Sequence, residues 1–230
     1  PASIATLNSY VFGSCTGLTE VKLNEGLTSI ANDAFNGCSS LEEIVLPDSV
    51  TTLGYNIFAG CKKLTSINLP KNLTTCNSYT YYGYGTFKDS GITTVIIPEG
   101  ITTIPAYTFY NCTTLESVVL ADSVTTIDNS AFEGCSSLKI AELNENLTTI
   151  GNNAFSGCSS LESVQMPESL ETIGNNAFNG CSGLKTVNLN DGLKTIGERA
   201  FYGCSALKEV EIPASIATLN SYVFGSCTGL

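Results

Sequence analysis

The cysteines recur at a fixed interval, and this spacing limits the possible folds more than any other feature of the chain. Nine of the ten cysteines fall into two series, Cys15 to Cys61 and Cys112 to Cys227, in which each member lies 23 positions after the last. Between the series, Ser90 occupies the cysteine position, with a longer step before it and a slightly shorter one after it. All ten phenylalanines lie three positions before a member of this series. Such self-similarity predicts a repeat protein, in which each unit buries its apolar side against its neighbours.

The repeat unit has the pattern A-F-x-G-C-S-S-L-x-x-V-x-L-P-x-S-V-T-T-I-G-x-N, and residues 158–180 follow it closely. Ile44 and Leu46 alternate with outward positions, which predicts a half-buried strand. Pro47 ends this strand because it cannot donate a hydrogen bond to a ladder. Val50 and Leu53 then return along the opposite wall. A glycine before most of the cysteines provides the backbone freedom that a tight corner needs.

Part of this unit, C-x-x-L-x-x-V-x-L, resembles the leucine-rich repeat signature L-x-x-L-x-L-x-x-N/C-x-L. The phenylalanine before the cysteine, the proline after the strand and the I-G on the return make the unit similar to BspA-like leucine-rich repeats over the whole chain. The chain departs from the pattern at Cys76, Ser90 and Ala141, and in a six-residue insertion after Cys76. The resemblance implies a surface protein that binds host or matrix components.

A repeat as short as this one has no room for a long helix. We therefore expect a single continuous leucine-rich repeat solenoid over residues 1–230, with about nine repeats. A parallel sheet should form one face, and short strand or 3₁₀ segments should form the return face. Paired threonines such as Thr51 with Thr52 should form a ladder on the return face. A tyrosine-rich insertion at about 77–86 interrupts this solenoid.

The cysteines allow two interpretations, either as metal ligands or disulfide partners, or as a buried column of free thiols. Metal clusters usually use closely spaced C-x₂₋₄-C pairs, and the chain has none. Equivalent residues on stacked turns should have Cβ atoms about 4.8 Å apart on nearly parallel bonds, whereas a disulfide needs roughly 3.5–4.5 Å. We therefore favour buried, unreactive thiols. The phenylalanines should form a second column of offset, stacked rings.

Composition narrows the function classes. The formal charge of −11 argues against nucleic acid as a partner, because phosphate binding needs clustered cations. The chain has no histidine, which excludes every site that needs one. Carboxylate pairs such as Glu42 with Glu43 lie on a periodic surface without a visible pocket, so we expect no catalytic residue, cofactor or metal. No signal segment or long apolar run is present, so we expect no membrane insertion and a mature or excised segment.

The two ends of the chain match. Residues 1–18 are identical to residues 213–230, and the offset between them equals nine repeats plus the insertion less one deletion. Both ends also lack the polar caps that a solenoid uses. These features indicate a longer period, with blocks joined in tandem or stacked end to end, so that self is the expected partner. The alternative is an engineered or arbitrarily cut chain whose ends happen to duplicate.

Two surfaces are candidates for binding. Val45, Ile96, Val119 and Ile140 place apolar side chains at outward positions of the strand face, either as an interface or because β-branched residues favour strands. The insertion contains Tyr79, Tyr81, Tyr82 and Tyr84. These tyrosines suit a recognition loop, or a loop that folds back over its own irregular turns.

Sequons for N-glycosylation occur at Asn72, Asn111 and Asn146. Asn72 and Asn146 share one exposed turn position of the repeat, whereas Asn111 adjoins buried Cys112 and should be a poorer acceptor.

Two functions therefore remain. The first is a non-enzymatic structural or adhesive protein outside the cell or on its surface, built as a tandem array or an end-to-end filament. The second is a soluble recognition module that binds a host or matrix protein, or a glycan, through the strand face and the tyrosine-rich loop.

Overall fold

The computed structural model describes residues 4–77 and 85–230. Within these residues the chain forms sixteen short strands and no helix. Seven strands form the strand face: β2 (Glu20–Val21), β4 (Glu43–Ile44), β7 (Thr94–Ile97), β9 (Ser117–Leu120), β11 (Ile140–Glu142), β13 (Ser163–Gln165) and β15 (Thr186–Asn188). Nine strands form the return face: β1 (Thr6–Leu7), β3 (Ser29–Ile30), β5 (Thr52–Leu53), β6 (Thr75–Cys76), β8 (Thr103–Ile104), β10 (Thr126–Ile127), β12 (Thr149–Ile150), β14 (Thr172–Ile173) and β16 (Thr195–Ile196).

All strand pairs are parallel, and each pairing joins a residue to its equivalent in the next repeat. Thr126 of β10, for example, pairs with Thr149 of β12 and with Thr103 of β8. The register therefore follows the sequence repeat. This arrangement confirms the predicted solenoid, with two-residue strands as the return segments.

Hydrogen-bonded pairing is interrupted along both faces. The return face consists of a four-stranded sheet, β1-β3-β5-β6, and a five-stranded sheet from β8 to β16, which meet at the insertion. The strand face consists of the pair β2-β4, the triplet β7-β9-β11 and the pair β13-β15. A single bridge, Val45 to Asn68, extends the first pair. The backbone ladders alone therefore do not hold the solenoid together.

The phenylalanine column runs without a break from Phe12 to Phe224. Neighbouring ring centroids are 5.2–5.6 Å apart, with interplanar angles of 2–11°. Phe35 through Phe201 are fully buried, or nearly so. This geometry confirms the prediction of offset stacked rings, which avoid the repulsion of a face-to-face sandwich.

The cysteine column lies beside these rings, and all ten cysteines are free. Most of the column's thiols donate a hydrogen bond to the backbone carbonyl of the phenylalanine one turn earlier, as Cys158 does to Phe132 at 3.3 Å and Cys181 to Phe155 at 3.2 Å. The prediction of buried free thiols holds for eight cysteines. Cys15 is exposed because no described turn covers it, and Cys76, which stands outside the column, is half-buried.

The corner before each cysteine requires a left-handed backbone. Gly157 has φ of 76°, and most other glycines at this position have similar values. Where the repeat lacks glycine, Ser14 and Ser226 adopt φ of 59° and 58°, and Asp89 and Asn111 adopt φ of 56°. Aspartate and asparagine tolerate this conformation better than most residues do, so these substitutions leave the corner intact.

Candidate binding surfaces

The strand face brings three of its four predicted apolar residues together. Ile96 of β7 pairs with Val119 of β9. Ile140 of β11 pairs with Ser117, which is the outward-facing residue just before Val119 on β9, so Ile140 lies diagonally across from Val119. Ile96 is 70% exposed and Ile140 is also exposed, whereas Val119 is half-buried between its neighbours. We call Ile96, Val119 and Ile140 the apolar patch.

Val45 does not join the apolar patch. It is exposed, but its bridge partner is Asn68, which lies on the turn between Val45 and the strand that carries Ile96. A polar residue therefore separates Val45 from the patch, and the four predicted residues form one cluster of three and one isolated side chain.

Grooves lie along the strand face, both beside paired strands, as at β2 and β4, and where pairing is interrupted. One groove, with a volume of about 580 Å³, lies between β15 and residues 209–211, and its lining includes Glu168, Asp191, Glu209 and Glu211. A second groove, about 330 Å³, lies between β11 and β13. Ala141 lines the second groove at the position that Val118 and Val164 occupy on neighbouring strands. The smaller side chain at this position is the sequence signal for the second groove.

The buried thiols are chemically quiet. Burial raises the pKa of Cys112 to about 11 and of Cys61 and Cys204 to about 12, and it raises the pKa of Cys158 well above 9. A thiol with so high a pKa has little thiolate at neutral pH, and the thiolate is the nucleophile and metal ligand. Among the described residues, no group of three or more acidic or cysteine side chains is placed to hold a metal ion.

The tyrosine-rich insertion follows β6 in the sequence. Tyr79, Tyr81, Tyr82 and Tyr84 lie outside the described residues. The described residues on either side of the insertion lie close together. The Thr86 hydroxyl is within hydrogen-bonding distance of the Asn77 carbonyl, at 3.4 Å, and of the Gly54 carbonyl, at 3.3 Å. The insertion therefore leaves and re-enters the solenoid at nearly one point.

The sequon asparagines have the exposures expected from the repeat. Asn72 and Asn146 are exposed, and each side-chain amide donates to the carbonyl of an aspartate one turn earlier, at 2.8 and 3.0 Å. Asn111 is half-buried at its corner. A glycan attached at Asn72 or Asn146 would project from the turn before the return strand. Whether any of the three carries a glycan stays a prediction.

Two polar ladders run along the surface of the solenoid. The threonines form the ladder expected on the return face, where the hydroxyl of Thr51 donates to the carbonyl of Thr28, and the hydroxyl of Thr148 to that of Thr125. The second ladder was missed from the sequence. At the corner after the return strand, the side-chain oxygen of Asn152 accepts from the backbone N–H of Asn175 at 2.8 Å. The recurrence of asparagine at the repeat interval is the signal that could have identified it.

The described residues contain no helix with the length and apolar character needed to cross a bilayer.

Comparison with solved structures gives the same fold. A leucine-rich repeat protein from Bacteroides ovatus is 27% identical, with a TM-score of 0.62, over 98% of this chain and 69% of its own. A T. pallidum leucine-rich repeat protein is also 27% identical, with a TM-score of 0.54, over 82% of this chain and 77% of its own. A leucine-rich cell surface protein from Faecalibacterium prausnitzii is more distant, at 23% identity and a TM-score of 0.44, over 90% of this chain and 76% of its own. No curated protein matches the chain significantly.

The family comparison covers the entire sequence. The BspA type leucine-rich repeat region matches residues 1–113, 80–191 and 148–230. These ranges contain every cysteine and phenylalanine of the two columns. The chain therefore belongs to the family of BspA-type leucine-rich repeat proteins.

Proposed function

We propose that this protein is a non-enzymatic structural and adhesive repeat protein, located outside the cell or on its surface, whose block of nine repeats recurs in tandem or end to end. The identity of residues 1–18 with residues 213–230 supports the proposal most directly. Independent repeats of one template share apolar positions, whereas these two segments also share every variable position. A period longer than the single repeat accounts for this identity.

The geometry is compatible with such an array. The first copy of the shared sequence packs on the following turn, where Phe12 stacks on Phe35 at 5.2 Å. The second copy packs on the preceding turn, where Phe224 stacks on Phe201 at 5.5 Å. A turn covered on both sides would combine the two contacts and continue the column from one block into the next.

A two-block chain, residues 1–212 followed directly by residues 1–230, tests the array. We expect the Cys15 equivalent at the junction to resist alkylation under native conditions, as buried Cys227 should in the single block. Cys15 at the start of the first block, which is exposed, should react. A control that joins two copies of residues 1–230 through a flexible Gly/Ser linker should leave both Cys15 residues reactive. A junction thiol that reacts as fast as the leading Cys15 would refute a continuous array.

The location is tested separately. Antibody raised against the chain should label intact source cells or the surrounding matrix. Labelling that appears only after the cells are permeabilised would contradict an extracellular or surface role.

Recognition of a protein or glycan is the second candidate function, and the apolar patch favours it. Ile96 and Ile140 expose β-branched side chains beside half-buried Val119. Matrix proteins and glycans should be screened with wild-type protein, with Ile96→Glu and with the control Asn188→Glu at an equivalent outward position. Binding that is lost only in Ile96→Glu supports the patch, and binding that is unchanged in Ile96→Glu argues against it.

A further inference from the structure

The sequence shared by the two ends lies in two complementary environments. Leu7 is 9% exposed, whereas its equivalent Leu219 is 43% exposed. At the next corner of the same turn, the exposed residue belongs to the first copy instead: Val11 is 48% exposed, whereas its equivalent Val223 is 3% exposed. The first copy is therefore covered on the side of higher residue numbers, and the second copy is covered on the side of lower residue numbers.

Within the described residues, the second copy has an unpaired backbone edge. In the first copy, the carbonyls of Ala5 and Leu7 accept hydrogen bonds from residues 28–31, and the N–H groups of Tyr10, Phe12 and Ser14 donate to the carbonyls of Asn32, Ala34 and Asn36. The equivalent groups of the second copy, the carbonyls of Ala217 and Leu219 and the N–H groups of Tyr222, Phe224 and Ser226, have no hydrogen-bond partner within the described residues. An unpaired edge of this kind is a template for another chain.

The surface that fits this edge is present in every copy of the chain, at residues 28–36. The first copy of the shared sequence covers that surface and forms the six backbone hydrogen bonds just described. Because residues 213–230 have the same sequence, they can make the same contacts. We infer that the turn 213–230 of one molecule replaces the turn 1–18 of a second copy of this chain, an inference that rests on the proposed array.

Exchange also continues the strand face. In the exchanged pair, Glu209 and Glu211 lie next to Glu20 and Lys22 of the second copy, one repeat further along. Glu20 already has Glu43 as its register partner, so a glutamate pair is compatible with this sheet. Lys22 gains the opposite charge of Glu211.

Simple stacking, in which both molecules keep their own end turns, would continue the strand face less completely than exchange does. It would place residues 213–230 directly against residues 4–18 of the next molecule and would omit the strand segment that belongs between Glu209–Glu211 and β2. Exchange leaves no such gap. Each exchanged molecule still offers its own turn 213–230 to the next, and a head-to-tail contact of this kind does not close and builds filaments. In a longer parent chain, the next block would cover the same edge.

Sedimentation velocity of the chain of residues 1–230 over a wide concentration range tests the exchange. Wild-type protein should form dimers and longer species reversibly as concentration rises. Leu219→Asp should abolish this association, because it places a carboxylate against Ile30 of the second copy, while the exposed position leaves the monomer folded. Ser66→Asp, at an exposed position outside the apolar patch and away from both ends, should associate as the wild type does. Association that persists in Leu219→Asp, or a monomer at every concentration, would overturn the inference.

Two further measurements separate exchange from simple stacking. Leu7→Asp weakens the packing of the chain's own first turn, so exchange predicts association at least tenfold tighter, whereas stacking predicts weaker association. Cys15 should remain open to alkylation in exchanged oligomers, because the displaced turn is released. Oligomers that protect Cys15, or that Leu7→Asp weakens, would refute exchange. A monomeric chain combined with a protected junction in the two-block protein would refute exchange and leave the array intact.

Discussion

Truncation of one ring in the phenylalanine column should show how much stability depends on neighbouring turns. Phe155 is fully buried, and its ring centroid is 5.2 Å from both Phe132 and Phe178. Replacing a buried phenylalanine by alanine typically lowers the free energy of unfolding by about 3–5 kcal/mol. Two lost ring contacts of roughly 0.5–1.5 kcal/mol each place Phe155→Ala at the upper end, at about 5 kcal/mol. Phe224 is half-buried with one stacked neighbour, and Phe224→Ala should lose about 2 kcal/mol.

Urea unfolding followed by far-ultraviolet circular dichroism and by tyrosine fluorescence measures the difference. Two probes are needed because long repeat arrays can lose two-state behaviour. Phe155→Leu serves as the control, since it keeps most of the apolar volume and should lose clearly less than Phe155→Ala. Equal losses for Phe155→Ala and Phe224→Ala would refute the reasoning that stacked neighbours on both sides contribute.

Three further predictions address the thiols and the corners. Cys158→Ser should lower the free energy of unfolding by only about 1 kcal/mol in urea melts, because the hydroxyl can donate to the Phe132 carbonyl as the thiol does, and a loss above about 3 kcal/mol would contradict this. Gly174→Ala should lose about 1–3 kcal/mol in the same assay, since its Cβ would lie 2.6 Å from backbone of the previous turn, whereas Gly17→Ala meets no atom within 4 Å and should be neutral. Burial raises the pKa of Cys61 from 9.0 to about 12, so the thiol ionises at lower pH in the unfolded chain than in the folded chain. The free energy of unfolding should therefore fall between pH 9 and 12, by at most about 1.4 kcal/mol per pH unit for each such thiol. Thermal melts should show a shallower fall for Cys61→Ala than for wild-type protein, and equal slopes would count against a buried thiol.

The sequence predicts the register and the interior well, because both follow from the repeat. Residues that recur at the repeat interval become strand partners, as Thr126 and Thr149 do. The recurring cysteines and phenylalanines become columns for the same reason. Each turn adds the same contacts as the last, so a pattern read from one repeat determines the packing of all.

The sequence predicts surface detail less well, because exposure depends on the sizes of neighbouring side chains. Ile96 and Val119 occupy equivalent outward positions, yet Ile96 is exposed and Val119 is half-buried. The acceptor of each thiol also escaped prediction. Cys158 donates to Phe132, which lies more than one full repeat earlier, and a backbone carbonyl leaves no mark in the sequence.

The irregular turns around the insertion show which contacts keep the solenoid continuous. The return sheet stops at β6 and resumes at β8, yet Phe87 remains stacked between Phe58 and Phe109 at 5.5 and 5.3 Å. At the same place, Cys76 stands where the repeat has a larger apolar residue, and a small apolar cavity lies beside it. The hydrogen-bonded ladder and the packing are thus both imperfect there, while the aromatic column is not. The backbone of the same corner also stays paired, since the N–H of Phe58 donates to the Thr86 carbonyl and the N–H of Phe87 to the Thr108 carbonyl, both at 2.9 Å. The stacked rings and the hydrogen bonds of this corner together carry the fold past the interrupted return sheet, which explains why the solenoid accommodates an insertion between β6 and β8.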